Sequence, residues 1–438
     1  MRFDIEKLKC DRVCLLIGLV FIFCVFCGNN SGKKNNSLLN FSHLEHLSRV
    51  VKLEGVTADY VGIYSEFPEY EIKEDPDEGI TCVDDVSRAA VLYLRHYRYA
   101  GDEQSLGHAR NLLNFILTMQ SPKGTFYNFR FADMTINRHH QNSEARAGWW
   151  TWRAMWAMAE AYEIMVNEDP AYADLLKERI EAVFPAIDSL LQNYPRFSVV
   201  SGIELPTWLP FETAADQAGV LILGLVPYYR VTDNPGVADF IRKLAVGLLS
   251  FQFGNAEDSP YGCFLSWENN WHAYGNIQAY ALLLAGQVLK EEEFLSKAFL
   301  EIENFYPYLI REGYLSYFEL TFVADTVAIS DIRKYPQIAY NFRPMVWASL
   351  EAYEVSGSEK YARQAGELAC WLAGRNSNGV ALYDPATGRC FDGINSEKEI
   401  NRNSGAESTV EALLTILEIE QNPQAFTILK KCMENIRE

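Results

Sequence analysis

The protein has 438 residues, of which 49% are hydrophobic and 22% charged, and its 58 acidic side chains outnumber its 39 basic ones to give a net charge of −19. This composition predicts one large or two ordinary globular domains and excludes a disordered chain. A negative chain without a Lys/Arg-rich run repels phosphate backbones, so nucleic acid is not an expected partner.

Residues 1–27 have the pattern of an export signal. Basic residues precede an apolar run over residues 13–26, which is shorter than the roughly 20 residues that span a bilayer. We therefore expect a periplasmic or cell-surface protein whose residues 28–39 form a flexible polar tether. Cys27 stands where bacterial lipoproteins carry their lipid, although Phe26 replaces the usual small residue. Lipidation at Cys27, simple cleavage and an uncleaved anchor all stay open, and such an anchor is the one membrane contact expected.

Five cysteines lie beyond the export signal, at positions too widely spaced for a disulfide framework or a CxxC metal site: Cys82, Cys263, Cys370, Cys390 and Cys432. A single Cys370–Cys390 bridge is one interpretation. Buried free thiols, which pack as small hydrophobic groups, are the preferred one.

A regular alternation of apolar helical segments and turns runs from residue 81 to residue 438, after an N-terminal helix and rim segment at 40–80. Tight turns with helix-stop or N-cap chemistry occur at 99–103, 167–171, 232–236, 289–293, 355–359 and 420–424. The pattern predicts twelve helices in six pairs, at about 82–100 with 102–120, 143–167 with 170–193, 213–232 with 234–253, 270–289 with 291–311, 338–356 with 358–374, and 405–420 with 422–437. A recurrence of this kind indicates hairpins that bury their faces on their neighbours.

The last of the first helices, AESTVEALLTILEI, is as apolar as the earlier ones, which favours a closed ring over an open solenoid with polar caps. With its six hairpins and the stretch CFDGINSEKEINRNSGAESTVEALL at 390–414, the chain from about residue 80 resembles the six-hairpin glycosidase superfamily. That resemblance implies an all-α fold, an (α/α)6 toroid of six helical hairpins in two concentric rings. The same toroid also serves lyases, epimerases and terpenoid cyclases.

The long loops of such a toroid share one rim, opposite the tight turns. They are predicted at 121–142, 194–212, 254–269, 312–337 and 375–404. Because binding residues concentrate on loops and each first helix begins at this rim, we expect the binding face there.

Acidic residues gather at the predicted starts of the first helices: Asp84, Asp85, Glu144, Asp216, Glu268 and Glu407. Three of them, Asp84, Asp216 and Glu407, follow a Thr or Ser by three residues and fit a capping box or its Asp variant. Asp85 and Glu144 escape that explanation. The chain is also similar to unsaturated glucuronyl hydrolases, a resemblance which implies that acids at the starts of inner helices act as proton donor and base. We predict that Asp85 and Glu144 face each other across the rim and carry catalysis, with Asp216 and Glu268 in reserve.

Aromatic and polar residues near the same rim are the predicted sugar contacts. The aromatic ones are Trp149, Trp208, Trp267 and Trp271, and the polar ones are His140, Arg146, His272, Arg343 and Glu407. If several guanidinium groups point inward, the substrate carries carboxylates, whereas salt bridging in an acid-rich chain explains these arginines equally well.

The resemblance implies an exported glycoside hydrolase acting on an oligosaccharide or polysaccharide, with uronate-containing sugars among the candidates. A polysaccharide lyase or sugar epimerase is the rival enzyme, with Tyr274, His272 or His140 abstracting a proton. A glycan-binding lipoprotein is the rival without catalysis. Beyond the predicted export signal the sequence has no HExxH, EF-hand, CxxC or glycine-rich nucleotide motif, so neither a metal nor a cofactor is expected.

Overall fold

Six helical hairpins make up most of the protein, whose computed structural model describes residues 37–323 and 326–435. A short helix, α1 (Ser42–Leu47), precedes them. The hairpins are α2 (Val83–Ala100) with α3 (Glu103–Leu117), α4 (Trp149–Glu168) with α5 (Pro170–Glu181) and α6 (Phe184–Leu191), α7 (Ala215–Thr232) with α8 (Pro235–Leu249), α9 (Gln278–Leu289) with α10 (Glu292–Arg311), α11 (Arg343–Ser356) with α12 (Glu359–Ala369), and α13 (Ala406–Gln421) with α14 (Pro423–Asn435).

The first helices of the hairpins form a closed inner ring. In chain order α2, α4, α7, α9, α11 and α13 each contact the next, and α13 packs back on α2. Their partners lie outside and expose one polar side. The predicted (α/α)6 toroid is confirmed, and the apolar character of α13 follows from its position between two neighbours.

The tight turns end one helix and begin the next through local chemistry. Gly101 closes α2 with a left-handed backbone (φ +65°), and the side chain of Asp102 then accepts a hydrogen bond from the Ser105 N–H to cap α3. Asp169 and Asn234 cap α5 and α8 in the same way. These turns lie where the sequence predicts them, because the stop and cap signals act within a few residues.

Strands form only small hairpins and one three-stranded sheet among the described residues. They are β1 (Ser48–Leu53), β2 (Val56–Val61), β3 (Tyr64–Glu66), β4 (Glu71–Lys73), β5 (Thr81–Cys82), β6 (Phe129–Arg130), β7 (Phe197–Val200), β8 (Ile203–Pro206), β9 (Gln252–Phe253), β10 (Cys263–Phe264), β11 (Asn270–His272), β12 (Tyr317–Val323), β13 (Thr326–Arg333), β14 (Tyr383–Asp384), β15 (Arg389–Cys390), β16 (Gly393–Ser396) and β17 (Glu399–Asn401). The three-stranded sheet has the order β11, β12, β13, and all its pairings are antiparallel.

Several inner helices begin later than predicted. The structure starts α4 at residue 149 rather than 143, α9 at 278 rather than 270 and α11 at 343 rather than 338. The residues that precede these helices form backbone pairs at the rim instead of helical turns. β11 pairs with β12 ahead of α9, and Gln337 pairs with Ile394 ahead of α11. The outer element of the second hairpin is also split, into α5 and α6.

The inner helices α4 and α7 approach closely at Gly224. A Cβ atom on this glycine would lie 3.0 Å from the backbone nitrogen of Trp156. The contact therefore depends on the absence of a side chain at Gly224.

One disulfide joins Cys370, at the end of α12, to Cys432 in α14, with the two Cα atoms 5.8 Å apart. The alternative Cys370–Cys390 bridge is therefore wrong. The preferred interpretation of buried free thiols is confirmed for Cys82, Cys263 and Cys390 and is wrong for Cys370 and Cys432.

The predicted export signal, the lipidation site at Cys27 and most of the tether lie outside the described residues. Among the helices that the structure does describe, none combines the length and the apolar character of a membrane span.

Candidate active site

A cavity of about 720 Å³ opens at the rim where the inner helices begin. Its walls come from the first turns of α2, α4 and α13, from the loops before α4 and α11, and from the segment before β3. Asp84, Asp85, Arg88, Arg153, Tyr340 and Glu407 are among its lining residues. Tyr274 ahead of α9 and Asp392 ahead of α13 also line it, so segments far apart in the chain supply its chemistry.

The first turn of α2 is fixed by a strand pair on the rim. β5 pairs with β6, the Val83 N–H donates to the Asn128 carbonyl at 2.8 Å, and the Asp84 N–H donates to the Asn128 side chain at 3.2 Å. The N-cap of α2 is Cys82, whose sulfur accepts from the Asp85 N–H. Asp84 is therefore not the closing residue of a capping box.

The capping-box prediction is also wrong for Asp216 and Glu407. The N-cap of α7 is Ala214, and the N-cap of α13 is Gly405, neither of which makes a side-chain cap. The carboxylates of Asp216 and Glu407 are used elsewhere.

Arg88 joins two carboxyl groups of the cavity. Its guanidinium lies 2.7 Å from Asp85 and 2.8 Å from Glu407. Beneath the cavity the fully buried Glu411 lies 3.2 Å from Arg88 and also hydrogen bonds to Arg343. The Arg88 side chain is 3% exposed, so its charge acts on these carboxyl groups with little screening by solvent.

The pKa values of Asp85 and Glu407 are shifted in opposite directions. Burial, helped by the negative charge of Glu407, raises the pKa of Asp85 to about 6 even though Arg88 opposes the shift. Burial also acts to raise the pKa of Glu407, but the charges of Arg88, Arg153 and Arg343 outweigh it and leave that pKa below its usual value. The Glu407 side chain is 43% exposed. One carboxyl group thus holds a proton more readily than the other, which is the arrangement of an acid and base pair.

Asp84 forms a second ion pair in the wall. Its carboxylate lies 2.8 Å from Arg153, which also donates to the Tyr340 hydroxyl at 2.9 Å and stacks over the Trp149 ring at 4.8 Å. Trp149 is half-buried and faces the cavity, where the sequence predicts a sugar contact.

Glu144 does not begin an inner helix, which corrects the predicted boundary. It lies exposed in the loop before α4 and is not among the residues that line the cavity, whereas Asp85 is. The structure therefore does not bring the two together, because strand-like pairing at Phe126 and Arg146 delays the start of α4. A catalytic role for Glu144 stays a prediction.

Asp216 and His272 form a buried pair beside the cavity, with 3.1 Å between their side chains. The Tyr274 ring stacks on His272 at 3.9 Å and itself lines the cavity. Glu268 lies in the loop before β11 with a left-handed backbone and does not line the cavity.

Two of the predicted rim aromatics are buried in the core. Trp208 packs beneath Tyr194 and Phe197 and donates to the Lys243 carbonyl, and Trp271 stacks on Phe318. The expectation that these two stand exposed on the rim is wrong, because the main hydrophobic core extends into the rim loops.

Among the other predicted contacts, Trp267 is 45% exposed but lies outside the cavity wall, and Arg343 is buried below it. His140 packs against the Phe129 ring. Arg146 lines the cavity.

Sequence reasoning missed Arg88, Arg153 and Tyr340, and it assigned Asp84 to a capping box. Arg88 follows Asp84 by four residues, a spacing that predicts an ordinary helical ion pair. Its actual partners include Glu407 and Glu411, 319 and 323 positions later. The one available signal for Arg88 is that it is a charged residue on an otherwise apolar face of α2.

The described residues contain no group of three or more His, Cys, Asp or Glu side chains that could hold a metal ion.

No protein-family model and no curated protein matches the sequence. Solved structures do share its fold. Cellobiose 2-epimerase from Bacillus thermoamylovorans superposes with a TM-score of 0.59 at 12% identity, covering 86% of this chain and 95% of that chain. A family 76 glycoside hydrolase from a bovine Bacteroides thetaiotaomicron strain gives 0.55 at 12% identity, over 83% and 74%.

An alpha-1,6-mannanase of Salegentibacter, solved as an inactive variant with two adjacent aspartates replaced and in complex with alpha-1,6-mannotetrose, gives a TM-score of 0.51 at 13% identity, covering 82% of this chain and 92% of that chain. These likenesses establish architecture, since identity is too low to carry chemistry. The chain has the (α/α)6 toroid fold that these solved proteins share.

Proposed function

We propose that the protein is an exported carbohydrate-active enzyme, a glycoside hydrolase in which Asp85 is the proton donor and Glu407 the base. One observation carries the proposal. Arg88 bridges two cavity carboxyl groups, and their surroundings raise the pKa of Asp85 to about 6 and lower that of Glu407.

The mechanism follows from these positions. Asp85 gives its proton to the glycosidic oxygen as the bond to the anomeric carbon breaks. Glu407, which is ionised and open to the cavity, takes a proton from water as the water oxygen bonds to that carbon. Arg88 stabilises the carboxylate that forms at Asp85 and keeps Glu407 ionised. Proton exchange with solvent then restores both groups.

An adjacent pair of aspartates supports the choice of a hydrolase. The mannanase is described as inactive when two adjacent aspartates are replaced. Asp84 and Asp85 are the one adjacent aspartate pair in this chain, and both line the cavity. Asp84 is accordingly proposed as a third carboxylate that contacts the sugar.

An epimerase is the second candidate, and Asp216, His272 and Tyr274 favour it. A histidine paired with a carboxylate and stacked against a cavity tyrosine is suited to moving a proton from carbon. Cellobiose 2-epimerase shares the fold. However, Tyr274 lines the cavity and His272 does not, so proton transfer by His272 requires Tyr274 to move aside.

Export and a lipid anchor at Cys27 belong to the proposal too. The disulfide between Cys370 and Cys432 supports export, because disulfides are typical of oxidising compartments outside the cytosol. Mass spectrometry of the mature N-terminus after expression in a bacterial host would test cleavage and lipidation.

The chemistry is tested with Asp85→Asn and Glu407→Gln on a panel of oligosaccharides. Each variant should fold normally and lose about 10²-fold or more in turnover, because each removes a proton-transfer group. Asp188→Asn and Glu178→Gln, which change exposed acids on the outer helices α6 and α5, are the matched controls and should keep full activity.

The products separate the candidate functions. New reducing ends indicate hydrolysis, a changed sugar configuration by NMR indicates epimerisation, and an ultraviolet-absorbing product indicates elimination. If His272→Gln abolishes turnover while Asp85→Asn retains it, the hydrolase assignment is wrong. Sugar binding without any product would make the protein a receptor.

Glu144→Gln should be included among the variants. A large loss of turnover in Glu144→Gln would restore the catalytic pair of Asp85 and Glu144 that the sequence predicts.

A further inference from the structure

The three arginines that line the cavity differ in what they contact. Arg88 is held by Asp85, Glu407 and Glu411, and Arg153 by Asp84 and Tyr340. Arg146, by contrast, makes no ion pair and no side-chain hydrogen bond with any residue in the described ranges.

Arg146 is nevertheless held in place. Its backbone pairs with that of Phe126, and its carbonyl accepts a hydrogen bond from the Thr151 hydroxyl at 2.7 Å. The guanidinium lies between two aromatic rings, 4.9 Å from the centre of Trp150 and 5.3 Å from that of Phe211. Its Nε atom is buried without a hydrogen-bond partner. Stacking fixes the plane of the guanidinium and leaves its edge N–H groups for a ligand.

The ring of Phe211 is held over this site at a conformational cost. Phe211 is 46% exposed, and it and Glu212 both have left-handed backbones (φ +47° and +68°), which are unfavourable for residues other than glycine.

The acids of the cavity do not neutralise Arg146. Asp85 and Glu407 face Arg88, Asp84 faces Arg153, and Asp392 accepts hydrogen bonds from the Gly405 N–H and the Ser408 hydroxyl. Arg146 is therefore the cationic group of the described cavity wall that is free to pair with a ligand.

We propose that Arg146 binds an anionic substituent of the sugar, a carboxylate or a sulfate or phosphate ester, so that the enzyme acts on acidic saccharides. The inference rests on the proposed function for its substrate class. The planar fork of a guanidinium matches the oxygens of all three groups.

Binding of simple sugars to the full chain tests the proposal. The anionic probes are methyl β-D-glucuronide, methyl β-D-galacturonide, glucose 6-sulfate and glucose 6-phosphate, and the neutral ones are the matching methyl glycosides and glucose. Wild-type protein should bind at least one anionic probe about tenfold or more tighter than its neutral counterpart, as expected for hydrogen bonds to a charged group. Which probe is preferred identifies the substituent.

Arg146→Gln should bring that ratio close to one by weakening the binding of the anionic probe. Arg146→Met keeps the aliphatic contact and serves if the glutamine variant does not fold. Arg138→Gln is the matched control, because Arg138 also stacks on a ring, that of Tyr127 at 4.3 Å, in the same loop but outside the cavity wall. It should keep the preference.

A wild-type ratio near one, a preference that survives loss of Arg146, or no binding of any probe overturns the proposal. Each result is independent of the hydrolase assignment. An enzyme that cleaves only neutral oligosaccharides through Asp85 would refute the anionic site and keep the hydrolase. If the preference is lost in Arg146→Gln and the protein hydrolyses no oligosaccharide, the anionic site is supported and the hydrolase assignment is refuted.

Discussion

Glu301 should make the protein less stable as the pH rises, and Glu301→Gln should remove that dependence. Glu301 lies in α10 with no solvent exposure, accepts a hydrogen bond from the Phe264 N–H at 2.8 Å and has no cationic partner among the described residues. Burial raises its pKa from 4.5 to about 8. A carboxyl group with a raised folded-state pKa contributes its full stability below pH 4.5 and loses it as the pH rises through 8.

The size of the effect follows from the shift. The difference of 3.5 units (8 − 4.5), at 1.36 kcal/mol per unit, gives an upper limit of about 5 kcal/mol lost between these two pH values. The amide introduced by Glu301→Gln would keep the acceptor for Phe264 without a titrating proton. The assay is urea unfolding of both proteins at several pH values from 5 to 8.

The stability of Glu301→Gln relative to wild type should improve steadily over this pH range. Glu178→Gln, which changes an exposed glutamate on α5, is the control and should show a constant difference. A difference between Glu301→Gln and wild type that stays flat from pH 5 to 8 would refute the reasoning, because Glu301 would then be ionised without cost.

Three further outcomes are expected. The value of kcat/KM should fall as the pH rises above about 6 and Asp85 loses its proton; a profile that stays flat to pH 8 would exclude Asp85 as the acid. Cys370→Ser should lower the free energy of unfolding by about 2–4 kcal/mol, since it opens a long loop in the unfolded chain, and a reductant should abolish the difference from wild type; equal stability without reductant would contradict this. Gly224→Ala should destabilise by about 1–3 kcal/mol in calorimetry because its Cβ meets α4, whereas Gly107→Ala, with nothing within 4 Å, should not destabilise.

The fold is predictable from sequence because its signals are local. Gly101 followed by Asp102, or Asp233 followed by Asn234, ends one helix and caps the next within a few residues. The starts of the inner helices are less predictable. They depend on pairing with loops far along the chain, as when Gln337 pairs with Ile394 ahead of α11.

The candidate site is predictable only in part, for the same reason. Asp85 can be singled out because no Ser or Thr stands three residues before it, but its partner depends on which helix closes the ring. Glu407 becomes that partner through Arg88, which a four-residue spacing assigns to Asp84. Trp208 and Trp271 illustrate a different error. Their positions in loops predict sugar contacts, but both side chains are buried.

Arg88 also ties the assembly of the proposed acid and base pair to the completion of folding. It sits in the first inner helix, and its partners Glu407 and Glu411 sit in the last. Arg95 and Glu418 repeat this connection one layer below. A chain that lacks the sixth hairpin has neither Glu407 nor Glu411 to pair with Arg88. The proposed acid and base therefore come together when the two ends of the ring meet.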